Sequence, residues 1–148
     1  MSAALLIAAF LFEYIGGMAP CSLCIWQRWA HVGVIGAALA GVALLPERTG
    51  LLLVAAAALA SFGVAGYHAG VEWALWDGPA GCTANLGAGA STADFVDQLL
   101  ATPVVRCDDV PWSLFGLSMA GWNALFSLDI TAVAILAFIF GGRIARQT

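Results

Sequence analysis

The 148-residue chain contains no lysine, and its five basic residues are all arginines. Only 9% of its residues are charged, where a soluble domain carries about 25%. With a net charge of -4 and no basic cluster, it lacks the electrostatic footprint of a nucleic-acid binder. Of the four cysteines only Cys21 and Cys24 stand close together in sequence, so the second pair that a zinc ribbon requires is missing. The same shortage argues against metal transport through a Cys/His site. No small-residue cleavage site follows the first apolar run in a plausible frame, so that run reads as retained rather than as a removed signal. What the chain has in excess is apolar surface: 62% of residues are hydrophobic and the mean hydropathy is +0.94. These values describe an integral membrane protein, in one compact unit of a few spans.

Four apolar stretches are long enough to cross a bilayer, at about residues 2–18, 25–45, 51–71 and 114–140. Pro46-Glu47-Arg48-Thr49-Gly50 reads as a tight polar turn between the second and third. The segment from about 72 to 111, rich in Gly, Asp and Pro, reads as one long loop, and no internal repeat stands out. Within it, residues 91–101 have the pattern of a short amphipathic helix. Thr92 is its candidate N-cap and Phe95, Val96, Leu99 and Leu100 its apolar face. That face suits the membrane surface or the protein's own helix tops. Gly87-Ala88-Gly89-Ala90 before it reads as a hinge. The expected architecture is therefore an all-α, single-domain bundle of four transmembrane helices with a long outer loop.

Arginine placement orients the bundle. Arg48, Arg143 and Arg146 fall at one end of such a bundle and Arg28 and Arg106 toward the other. The positive-inside rule puts the first group, and both termini, in the cytoplasm. All four cysteines then lie at the outer, oxidising face, where disulfides persist. Trp26, Trp29, Trp73 and Trp76 gather at that boundary as interfacial-belt residues.

Pro20-Cys21-Ser22-Leu23-Cys24-Ile25-Trp26-Gln27-Arg28 carries the chemistry. A helix beginning near Cys24 stacks Cys24 and Arg28 on one face, four residues apart. The helix dipole and the cation both favour thiolate over thiol. His31 continues that face. Glu13, well inside the first span, is within reach of Arg28 or His31 on an antiparallel second span. Arg28 itself reads either as a donor to a polar head group between helices or as a snorkelling anchor. Four cysteines allow three pairings, and sequence distance favours Cys21 with Cys24 and Cys82 with Cys107. Arg106 would lower the Cys107 pKa, and Asp108 and Asp109 would raise it. His68 lies near the outer end of the third span and Trp112 at the start of the fourth. Gly116, Ser118, Ala120 and Gly121 would let the fourth helix approach its neighbours closely.

Taken together, Pro20-Cys21-Ser22-Leu23-Cys24 with Gln27-Arg28, then Cys82, then Cys107 with Pro111-Trp112 and Gly116-Leu117, resembles the DsbB family of bacterial disulfide bond formation proteins. The resemblance runs from the first span to the fourth. It implies a four-helix quinone reductase of the bacterial inner membrane. Such a protein reoxidises the periplasmic dithiol oxidase DsbA and passes the electrons to ubiquinone or menaquinone. By position, it implies that Cys82 takes the attack of the DsbA thiolate and that Cys107 is its partner and exchanges with Cys21. Cys24 would face the quinone, Arg28 would hold a quinone oxygen, and His68 would sit near the quinone. Glu13 departs from the neutral side chain common in the family.

Two other classes compete. A four-span quinone reductase resembling vitamin K epoxide reductase would carry its redox pair within a later helix, whereas here the pair follows the first span. A small membrane subunit with structural disulfides would contain no cysteine that reacts readily with thiols.

Overall fold

Residues 1–79 and 105–144 are described by a computed structural model. The Cys82 region and the amphipathic segment expected at 91–101 lie outside these residues. Four helices are present among them, α1 (Ser2–Tyr14), α2 (Ser22–Leu44), α3 (Glu47–Glu72) and α4 (Met119–Ile144), with a two-stranded hairpin, β1 (Ser113–Leu114) and β2 (Leu117–Ser118), leading into α4.

The contacts run in an up-and-down order. Arg28 on α2 meets Glu13 on α1, Gln27 on α2 meets His68 on α3, and Ser61 on α3 meets Ser127 on α4. One end of the bundle gathers Cys21, Cys24, Glu72 and Ser118, and the other gathers Arg48 against Phe138.

The helix bounds differ from those expected, each for a local reason. α1 ends at Tyr14, four residues early, because Gly16-Gly17 follows. Gly17 takes a φ of +67°, the left-handed conformation in which helices commonly stop at glycine, and Met18 N–H reaches back six residues to the Phe12 carbonyl at 3.1 Å. Thirteen residues rise only about 20 Å, short of a ~30 Å hydrocarbon core. α2 begins at Ser22 rather than near Cys24, because Cys21 is its N-cap: the Cys21 sulfur accepts the Cys24 backbone N–H at 3.2 Å. α3 begins at Glu47, so most of the expected turn is helical. Pro46 precedes the first turn and Glu47 lies in it, next to the positive end of the helix dipole.

The start of α4 was expected at 114. Instead, Phe115 and Gly116 both take positive φ, 51° and 79°, and form a tight hairpin turn pairing Ser113 with Ser118. Ser118 then caps α4, accepting the Gly121 N–H at 3.1 Å.

By length and apolarity together, two of these helices qualify as membrane crossings, Glu47–Glu72 and Met119–Gly141. α2, with 23 residues, has the length, but Gln27, Arg28 and His31 make its first half polar.

The helices meet through small residues. Ala58, Ala65, Ser61 and Ser127 are fully buried, and the Ser61 and Ser127 hydroxyls bond at 3.0 Å. At the Arg48 end, a Cβ on Gly41 would lie 3.0 Å from the Gly50 Cα, so α2 and α3 touch backbone to backbone there.

Candidate functional site

The site is built at the head of α2. Cys21 and Cys24 are free thiols, with Cys21 Sγ donating to Cys24 Sγ at 2.9 Å. Both precede the apolar run that starts at Ile25. The donated S–H lowers the pKa of Cys24, against burial, which raises it. That same bond, and then burial, pushes the Cys21 thiol up. The pair is thus polarised: Cys24 carries thiolate character and Cys21 keeps its proton.

Cys107 is wholly buried and packs with Cys21, Leu23 and Val71, with Cys24 against them. Its sulfur is in a disulfide and lies 3.6 Å from the Ser22 hydroxyl. Arg106 and Asp108 were candidates to tune it. They turn to each other instead, Arg106 Nε donating to Asp108 Oδ1 at 3.0 Å and its terminal nitrogen to Oδ2. That pairing holds the Asp108 carboxyl below the usual carboxylate range.

Beside Cys24 opens a cavity of about 360 Å³ between α1, α2, the start of α4 and the segments at Pro20 and Pro111. Its walls are apolar, including Phe12, Trp112, Trp122 and Phe126, and they are interrupted by Cys24, Gln27, Arg28, His31 and Asn123. The size and the few polar points suit a small flat ligand with oxygen acceptors.

Arg28 is fixed in the wall nearest α1. It is ion-paired with Glu13, donates to the Ala9 carbonyl at 3.4 Å, and lies 4.8 Å from the centre of the Phe10 ring. This is a guanidinium docked on the neighbouring helix, not one extended along the surface.

His68 does not line the cavity. It stands behind it, with Nε2 3.1 Å from the Cys107 carbonyl and 3.7 Å from Cys21 Sγ, and Nδ1 2.7 Å from Gln27 Nε2. Cys21, Cys24 and His68 converge within 4.8 Å, so the imidazole sits against the thiol pair. Glu72 follows, its carboxylate 3.9 Å from His68 Nε2 and bonded by the Ser118 hydroxyl. Of the sequence candidates, Cys21, Cys24, Cys107 and His68 thus meet in one place, Arg28 faces the adjoining cavity, and Cys82 lies outside the described residues.

Sequence reasoning missed Glu72 and Asn123 as site residues and took Gln27 only as part of the motif around Arg28. Each is a polar residue set in an apolar helix, and that rarity was the signal available.

Residues 1–137 match the family described as Disulfide bond formation protein DsbB. Among curated proteins, the chain is 34% identical to the disulfide bond formation protein B of Methylococcus capsulatus, over 90% of this chain and 85% of that one. It is 32% identical to the protein of the same name from Verminephrobacter eiseniae, over 97% and 84%. A Shewanella protein of that name is 30% identical, over 92% and 79%.

Proposed function

Because the chain belongs to the DsbB family of disulfide bond formation proteins, we propose that it works as a membrane dithiol oxidase that takes electrons from a periplasmic DsbA-type partner and delivers them to ubiquinone or menaquinone. Family membership and two membrane-length apolar helices mark it as a membrane protein. In this proposal the remaining two helices complete a single four-span domain in the inner membrane. Arg48 and both termini face the cytoplasm, and the cysteines face the periplasm.

The observation that carries the proposal is the adjacency of the polarised Cys21–Cys24 pair and the cavity with Cys24 in its wall. A thiol pair needs an acceptor to turn over, and a DsbA-type dithiol with a potential of about -120 mV demands a strong one. A quinone, when bound, accepts two electrons and two protons. The cavity fits it: aromatic and aliphatic walls for a flat ring, and Arg28 for an oxygen.

The chain's own sulfurs then work in sequence. The partner's thiolate attacks Cys82, and Cys107 leaves as thiolate. Cys107 attacks Cys21 of an oxidised Cys21–Cys24 pair, a bond forms between Cys107 and Cys21, and Cys24 is released as thiolate beside the cavity. The burial of Cys107 against Cys21 supports this order. His68, against Cys21 and the Cys107 backbone, holds the two segments in register. Arg28 stabilises negative charge in a site walled mainly by apolar side chains.

Purified protein, mixed with a reduced DsbA-type dithiol and a short-chain ubiquinone, should consume quinone absorbance in proportion to partner oxidised. Cys24→Ser should stop quinone loss. Partner oxidation without quinone loss, or turnover by Cys24→Ser, would refute the proposal.

A further inference from the structure

Five hydrogen bonds join all four helices behind and beside the cavity. They run Ser2–His31 (3.2 Å), His31–Asn123 (2.5 Å), Asn123–Gln27 (2.7 Å), Gln27–His68 (2.7 Å) and His68–Cys107 carbonyl (3.1 Å). One end fixes the polarity of the whole series. A carbonyl only accepts, so His68 Nε2 carries the hydrogen. A neutral ring protonated there accepts at Nδ1, so Gln27 turns its amide nitrogen toward it. Gln27 Oε1 then faces Asn123 and takes an N–H from it. Asn123 Oδ1 therefore faces His31 and accepts Nε2–H, and the Ser127 hydroxyl also points at Oδ1, at 3.4 Å. His31 Nδ1 is left to accept from Ser2.

The consequence lies at Asn123. Its oxygen is held by His31, so its amide nitrogen is held on the Gln27 side. That nitrogen has two hydrogens. One goes to Gln27 Oε1, and among the described residues no acceptor takes the second. Asn123 lines the cavity from α4, whereas Arg28 lines it from α2, tied to α1. Arg28 and Asn123 thus offer the cavity donors from different walls, one charged and one neutral.

We propose that Asn123 donates to the second ring oxygen of the quinone, the one away from Arg28, and that His31 is a positioning residue that keeps the Asn123 amide turned for this. The proposal rests on the quinone assignment of the cavity and adds a second recognition point. A para-quinone presents two carbonyl oxygens at opposite ends of one ring, and two donors on different walls match that shape. A neutral amide suits both redox forms, because it donates to a carbonyl and equally to a hydroxyl oxygen. The site thus prefers a dione over a ring ketone with one carbonyl.

The test uses two flat probes of nearly the same shape, 2,3-dimethyl-1,4-naphthoquinone and 2,3-dimethylchromone. In the second, a ring oxygen replaces one carbonyl. Dissociation constants are measured by calorimetry on the full chain in detergent, oxidised beforehand so that no electrons leave it. The wild type should bind the dione about 3- to 10-fold more tightly than the chromone, the value of one hydrogen bond. Asn123→Leu and His31→Leu should both erase that preference by weakening only the dione, and the unchanged chromone affinity shows that the cavity is intact. His31→Gln, which keeps a donor, should restore part of the preference. Asn123→Leu with wild-type affinity for the dione, or equal weakening of both probes, would overturn the proposal while leaving the quinone assignment standing. A wild type that binds neither probe would remove both.

Discussion

Glu13 on α1 and Arg28 on α2, which lines the cavity, form an ion pair with side chains 22% and 15% exposed. The pair has two consequences. It fixes the guanidinium next to Cys24's cavity, and it ties the short helix α1 to the bundle. Removing one partner leaves the other charge in a half-dry site, which costs more than removing both. Arg28→Ala should lower stability by on the order of 1–2 kcal/mol, and Glu13→Ala/Arg28→Ala by less. Thermal unfolding in detergent, arranged as a double-mutant cycle, reads this. Additive losses would mean that the two side chains do not interact.

Quinone affinity should follow Arg28 separately. Arg28→Ala should weaken it by on the order of 1.5–3 kcal/mol, the value of a charged hydrogen bond. Arg28→Lys should recover only part, because lysine lacks the planar fork that serves Glu13 and a ligand together. A wild-type affinity for Arg28→Ala would reduce Arg28 to a structural tie.

The polarised thiol pair predicts a pH dependence. Cys24 is lowered by the S–H that Cys21 donates, so its thiolate is populated at pH values below the ordinary thiol range of about 8.5. Cys21 is raised, so it stays protonated there. In reduced protein near neutral pH, iodoacetamide should modify Cys24 first. Cys21→Ala removes the donated hydrogen, so the alkylation profile of Cys24 should move to higher pH. Peptide mass spectrometry across a pH series reports both. Equal rates at the two cysteines would contradict the arrangement.

Much of this site was legible because it is built from rare residues. In a chain with 9% charge, Arg28, Glu13 and the Cys-x-x-Cys pair stand out, and a membrane-facing arginine has few partners to choose from. Helical rise on two antiparallel spans put Glu13 within reach of Arg28 or His31, and the packed bundle chose Arg28. The helix ends were less legible, because they depend on caps. Cys21 acting as an N-cap moved the start of α2, and a positive φ at Phe115, uncommon for a non-glycine residue, made a hairpin where an apolar pattern suggested helix. His68 was placed by depth, but its direction depends on Gln27 and Cys107, which only the packed bundle brings to it.

The contact between Gly41 and Gly50 should be the least tolerant point of the α2–α3 interface. A Cβ on Gly50 would sit 2.9 Å from the Gly41 Cα, against backbone that cannot rotate away. Gly50→Ala should cost about 1–3 kcal/mol through helix displacement. This end is remote from the cysteines, so Cys24 alkylation in the folded variant should keep its wild-type pH profile. A neutral Gly50→Ala in thermal unfolding would mean that the helices separate there freely.

The buried packing of Cys107 on Cys21 makes a last prediction about connectivity. If electrons pass from the loop to the head of α2 through these two sulfurs, they must be able to bond directly. In Cys24→Ser/Cys82→Ser protein only Cys21 and Cys107 remain, and with no competing thiol they should form an intramolecular disulfide under mild oxidation. Trypsin cuts after Arg28 and Arg106, so the bond would link the peptide ending at Arg28 to the one beginning at Cys107. His68, against both segments, should speed the closure, so adding His68→Ala should slow it while leaving the final yield unchanged. A product joined between molecules, or two thiols that remain free, would show that Cys107 reaches Cys24's partner by another route and would break the proposed order of transfer.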